Sequence, residues 1–154
     1  MSHILTEEVA QAALELVKPV FDGLVASGVT DDRVNLHVIV FQPGREDILA
    51  EASWGEDPST WTLPYAAIAY GKAKKVQQSG MVLRTLRNDA PWLYESGDVR
   101  YVGGVIENGL VVAASGLQDY WDEAISWMVL SAIQGFCRGH VANISADAPA
   151  FFPQ

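Results

Sequence analysis

Asn108-Gly109 separates two apolar runs, Val99 to Glu107 and Leu110 to Ser115, and leaves them one economical way to pair. Asn and Gly both tolerate positive φ, so the dipeptide predicts a two-residue turn and an antiparallel hairpin. A second hairpin is expected upstream. Val34 to Phe41 is rich in β-branched residues, Pro43-Gly44 breaks it, and Ile48 to Trp54 alternates apolar with small or polar residues.

Helical periodicity brackets these strands. From Thr6 to Ser27, Val9, Ala12, Ala13, Leu16, Val17, Val20, Phe21 and Leu24 recur at helical spacing, with Glu7 and Glu8 at the start and Gly28 as the stop signal. Tyr65 to Gln78 is Ala-rich and closed by Gly80; its Lys72, Lys74 and Lys75 suit a helix C-terminal half and are expected on a solvated face. Asp119 is expected to cap a last helix whose Ile125, Met128, Val129, Ala132, Ile133, Phe136 and His140 share one face. Between them, Met81 to Leu86 suits a short helix, and the segments around Asn88-Asp89-Ala90-Pro91 and Glu95-Ser96-Gly97-Asp98 have loop chemistry. The order α-β-β-α-β-β-α describes an α+β fold: an antiparallel sheet with a helix layer on it. With no repeat or linker, residues 1–154 read as a single domain with an irregular tail over 145–154.

Composition limits the function classes. A net charge of −9 would repel phosphate backbones and anionic headgroups, so neither nucleic acid nor a membrane surface is an expected partner. No stretch approaches the ~20 apolar residues of a spanning helix. Met1-Ser2-His3-Ile4 begins no basic segment followed by an apolar run, and a cytoplasmic protein is expected. The single Cys137 rules out an internal disulfide.

The chemistry is sparser. The sequence contains no HExxH, paired CxxC, P-loop, GxSxG or GxGxxG, which removes the usual supports for zinc hydrolysis, nucleotide binding and nucleophile-elbow chemistry. No metal site is expected. Cys137 and His140, three apart on a helix, could share a metal or an axial haem position, although a buried stripe is the ordinary reading. His37 is read as a partly exposed sheet residue. Gly103-Gly104 reads as a bulge, or as a close approach to a ligand.

Five Trp in 154 residues is a rich complement. Such side chains cap cores, fill interfaces or wall pockets for planar ligands. Trp92, Tyr94, Tyr101 and Trp121 are therefore the candidate pocket wall. Arg100 and Lys72 are candidates to hold a carboxylate, and Asp122 and Glu95 are candidates to move protons.

The run Ile68-Ala69-Tyr70-Gly71-Lys72-Ala73-Lys74-Lys75-Val76, the hairpin Asn108-Gly109-Leu110-Val111-Val112-Ala113-Ala114-Ser115-Gly116 and the helix start Asp122-Glu123-Ala124-Ile125 together resemble the GlcG/HbpS-like family, also called DUF336 or haem-degrading. Lys75 stands where that family usually has Thr, and Ala113 where it has the first Gly of its strand motif. Gly116-Leu117-Gln118 replaces most of its glycine-rich turn. The resemblance implies a profilin-like fold, homo-oligomers and a ligand pocket near the motif helix and the turn. Haem is the ligand it suggests for a binding protein. The alternative it leaves is a cofactor-free lyase or isomerase acting on a small aromatic or hydroxy acid. In a non-catalytic interaction subunit, the Trp residues and the Phe151-Phe152 tail would make subunit contacts instead.

Overall fold

A computed structural model describes residues 3–144 and 150–152. Most of the tail expected over 145–154 therefore lies outside the described residues. Helix α1 (Glu7–Ser27) begins where Thr6 Oγ1 accepts from Val9 N and ends at Gly28, whose left-handed φ of 82° returns its N–H to Val25 O. Strands β1 (Leu36–Phe41) and β2 (Ile48–Trp54) form the first hairpin, then α2 (Tyr65–Ser79) closes on Gly80. The second hairpin joins β3 (Gly104–Glu107) to β4 (Leu110–Ser115), with φ of 50° at Asn108 and 82° at Gly109, as the turn chemistry requires. Helix α4 (Asp119–Ala142) follows.

The four strands form an antiparallel sheet in the order β2-β1-β4-β3. Central strands β1 and β4 are buried along their whole length, and their side chains alternate between two cores. Leu36, Val38, Val40, Val112 and Ala114 meet α1 and α4, whereas Ile39, Phe41, Val111 and Ala113 meet α2 and the short helix α3 (Leu83–Asp89). Helices thus cover both faces, which corrects the expectation of one layer. The near-continuous apolar character of β1 follows from that double burial.

Three further expectations change. Strand β3 starts at Gly104 rather than Val99, because Gly103 has φ of 132° and leaves the extended region. Asn88 and Asp89 belong to α3 rather than to a loop. Asp119 is the first helical residue, not the cap; Gln118 holds that position without a side-chain capping bond.

The buried faces of the long helices are rotated from those expected. Helix α1 buries Ala10, Ala13, Leu14, Val17 and Phe21, leaving Leu16 and Val20 exposed; α4 buries Ile125, Val129, Leu130 and Ile133, leaving Met128, Phe136 and His140 outside. Both helices carry two apolar stripes, and only one of each packs on the sheet. The outer stripes meet in a shallow apolar groove between Val9 and Leu16 of α1 and Ala132 and Phe136 of α4.

Candidate functional site

Of the three α2 lysines expected on a solvated face, only Lys74 is exposed. Lys72 and Lys75 are buried, at 1% and 6% exposure, and each is matched to specific acceptors. Lys75 Nζ donates to Leu93 O at 2.6 Å and meets Asp98 Oδ2 at 2.8 Å, which pins the 93–98 segment to α2. Lys72 reaches further. Its Nζ donates to Ala114 O at 2.9 Å and to Asp122 Oδ2 at 3.1 Å, joining helices from opposite faces of the sheet.

Glycine opens that passage. A Cβ at Gly103 would stand 2.9 Å from Ala114 O, Asp122 Cβ and Lys72 Nζ alike. Beyond the pair, Asp122 Oδ1 accepts from Leu117 N at 2.9 Å, and the Ser126 hydroxyl lies 2.7 Å from Gly103 O and 2.9 Å from Asp122 O. Gly116 makes the corner at the end of β4: its φ is 145°, and any Cβ would strike Asn35 O at 2.1 Å. The Gly103-Gly104 pair is thus a close approach between protein segments.

Burial dominates the electrostatics. Loss of solvent pushes the Asp122 carboxyl up to about 6, against the opposing pull of the Lys72 ammonium and of the Leu117 and Gly116 N–H groups. Burial likewise pushes Lys72 down, while Asp122 holds it up. Both groups therefore sit closer to neutrality than they would in water.

The pair lines a cavity of about 340 Å³ between the start of α2, the 115–118 corner and the first turn of α4. Its aromatic wall is made of Tyr65, Tyr101 and Tyr120, with Leu63 and Ile68 beside them and Arg33 at the rim. Of the expected site residues, the structure brings Lys72, Asp122 and Tyr101 to this cavity. Arg100 is just outside it, exposed, with Nη2 3.0 Å from the Tyr101 hydroxyl and its guanidinium 4.9 Å over the ring.

The others lie elsewhere. Trp92 is 77% exposed on the 3-10 turn Pro91–Leu93. Tyr94 packs beside Lys75, 5.9 Å from Nζ to ring centroid, and burial pushes its phenol up. Glu95 is exposed and lines a separate polar cavity with Lys74 and Asp98. Trp121 packs on the α1–α4 core, behind Tyr120, with ring centroids 6.2 Å apart. Arg33, Tyr65, Gln118 and Tyr120 were not singled out by the sequence; Tyr65 and Tyr120 open helices and Gln118 lies close to Gly116, whereas no local signal marks Arg33.

The cavity lining holds no imidazole, thiolate or thioether donor for haem iron, and its tyrosine hydroxyls are the lining groups of a type that can ligate it. His37 is buried in β1, its Nδ1 2.7 Å from Ser53 Oγ and Nε2 2.9 Å from Glu51 Oε2; it is not the partly exposed residue expected. Cys137 is half-buried against the α1–α4 core, and His140 is exposed. Among the described residues no group of three His, Cys, Asp or Glu could hold a metal ion, and no helix is long and apolar enough to cross a membrane.

No protein-family model matches the chain, and no curated protein matches its sequence. Solved structures do match its fold. The Klebsiella pneumoniae protein ORFY, of family DUF336, is 16% identical, with 84% of this chain and 90% of that one covered and a TM-score of 0.58. The Ybr137w protein is 15% identical over 82% and 79% of the two chains, with a TM-score of 0.54. The chain thus has a DUF336 fold, as the helix and hairpin motifs implied.

Proposed function

We propose that this DUF336-fold chain is a small-ligand protein whose cavity at the Lys72–Asp122 pair takes a small acid bearing a planar ring or an α-hydroxyl. The observation that supports it is the buried pair itself, lining a cavity walled by three tyrosines. A buried ion pair contributes little net stability over apolar side chains of similar volume, so its place at a cavity suggests a chemical role. The volume suits a single small ring or a short hydroxy acid, being near the low end of ordinary ligand sites.

A second reading is favoured by Asp122: a cofactor-free lyase or isomerase. A carboxyl at about 6 can take a proton from a bound acid and return it near neutral pH, while the adjacent Lys72 ammonium offsets negative charge forming beside it. Haem is the competing ligand, with tyrosine hydroxyls as its candidate iron ligands, and the cavity volume of about 340 Å³ supports a small acid better. The same reading expects a homo-oligomer, and the exposed apolar seam of α1 and α4 is the surface that suits one.

Calorimetric titration with benzoate, 4-hydroxybenzoate, lactate and mandelate, beside an absorbance titration with haemin, tests this. Saturable binding of a small acid that is weakened when Lys72→Met is combined with Asp122→Asn is the expected result. A Soret band saturating at fixed stoichiometry, with no small acid bound, would overturn it.

A further inference from the structure

A second cavity of about 330 Å³ adjoins the first, and Arg33, Leu63 and Tyr65 line both. Its character is different. Asp32, Asn35, Glu56, Thr62 and Trp61 surround it, so it is rich in acceptors, whereas the inner cavity is largely apolar above its buried ion pair. Glu56 is fixed there by two bonds to Asn35, at 2.8 and 3.1 Å, and Trp61 by a bond from Nε1 to Glu56 O at 3.1 Å. Trp61 also stacks edge-on against Tyr65, with centroids 5.4 Å apart, so one aromatic pair spans the boundary between the two spaces.

Arg33 stands at that boundary without a carboxylate partner. Among the described residues its guanidinium forms no ion pair; Nη1 donates to Gly116 O at 3.5 Å. The Tyr101 hydroxyl on the inner wall lies within its field and within that of Arg100, and the two guanidiniums hold this phenol below its ordinary value, Arg100 through its hydrogen bond most of all. Beside them, Gln118 donates Nε2 to Thr30 O at 3.0 Å, which orients its amide, and its buried Oε1 has no hydrogen-bond partner.

We infer that the two cavities form one cleft centred on Arg33, for an acid whose carboxylate meets that guanidinium, whose planar part enters the inner cavity and whose hydrogen-bond-donating arm fills the outer one. The inference rests on the small-acid reading and adds the shape and polarity of the ligand. An anionic arm is disfavoured by Asp32 and Glu56, while an amide or hydroxyl arm meets them as acceptors.

Four probes separate these elements: benzoate, hippurate, N-benzoyl-L-asparagine and N-benzoyl-L-aspartate, titrated calorimetrically into the full chain. The asparagine derivative should bind about threefold to tenfold more tightly than hippurate, the gain of one net hydrogen bond, and the near-isosteric aspartate derivative more weakly than either. Arg33→Gln should weaken every probe by about tenfold or more, as loss of a charge-assisted bond does. Thr62→Phe, which fills the outer cavity, should abolish the asparagine gain, so that the asparagine derivative binds no more tightly than hippurate; thermal melts of both variants establish that they fold. Equal affinity for the two amino-acid derivatives, or a gain that survives Thr62→Phe, would overturn the two-part cleft even where benzoate binds. Wild-type protein that binds none of the four overturns the cleft, and one that binds neither these nor lactate nor mandelate overturns the small-acid reading as well.

Discussion

Lys72 Nζ lies 3.1 Å from Asp122 Oδ2, although the two residues belong to helices on opposite faces of the sheet. The contact passes the sheet where β3 has not yet begun, through space that Gly103 leaves open. The fold and the candidate site therefore share one interaction, and the predictions concern what happens when its parts are separated.

Lys72→Met strands a buried carboxylate and should cost about 3–5 kcal/mol by urea denaturation. Asp122→Asn in the same chain removes that charge while keeping an acceptor for Leu117 N–H, so the double variant should recover much of the loss. Additive losses would mean that the two groups do not compensate each other.

The pH dependence has a definite sign. Asp122 titrates at about 6 in the fold and at its ordinary 3.8 in the unfolded chain, so between those values the native state holds the extra proton. Its contribution is fully present below the unfolded value and is lost as pH rises through the folded one. Urea midpoints from pH 4 to 7 should therefore decline less with rising pH in Asp122→Asn than in the wild type. Parallel profiles would place the carboxyl at an ordinary value.

Much of this architecture was legible locally. Asn108-Gly109 specified the hairpin through positive φ at both residues, and Gly28 and Gly80 marked helix ends that adopt the left-handed conformation. Which stripe of α1 and α4 faces inward was not, because Leu16 and Phe136 are as apolar as Leu14 and Ile133; only the packing of both helices on one sheet face chooses between them. The site was legible in part. Lys72 and Asp122 were singled out as chemistry, but their meeting across fifty residues depends on where β3 begins. The Trp residues pointed elsewhere because size alone does not say what an aromatic ring packs on, and the cavity is walled by tyrosine instead.

Gly103→Ala introduces a Cβ 2.9 Å from three atoms at a φ of 132°. The expected loss is roughly 1–3 kcal/mol, with weakened small-acid binding because Lys72 Nζ must move. Unchanged melting and binding would show that the passage is wider than this.

The outer apolar seam makes a separate prediction. Leu16 is 61% exposed and Phe136 42% exposed in the single chain. Leu16→Asp should lower the mass measured by light scattering while changing chain stability by no more than about 0.5 kcal/mol. A mass that does not change would remove this seam as a subunit interface.

Asp122 also receives Leu117 N–H and so secures the turn from β4 into α4. That dual duty divides the cavity into parts with unequal evolutionary freedom. Lineages acquiring new ligands would change Arg33, Leu63 or the tyrosines, each alterable without refolding the chain. The floor would persist even in descendants that had abandoned the original chemistry, and its persistence alone would be a poor guide to which of them still perform it.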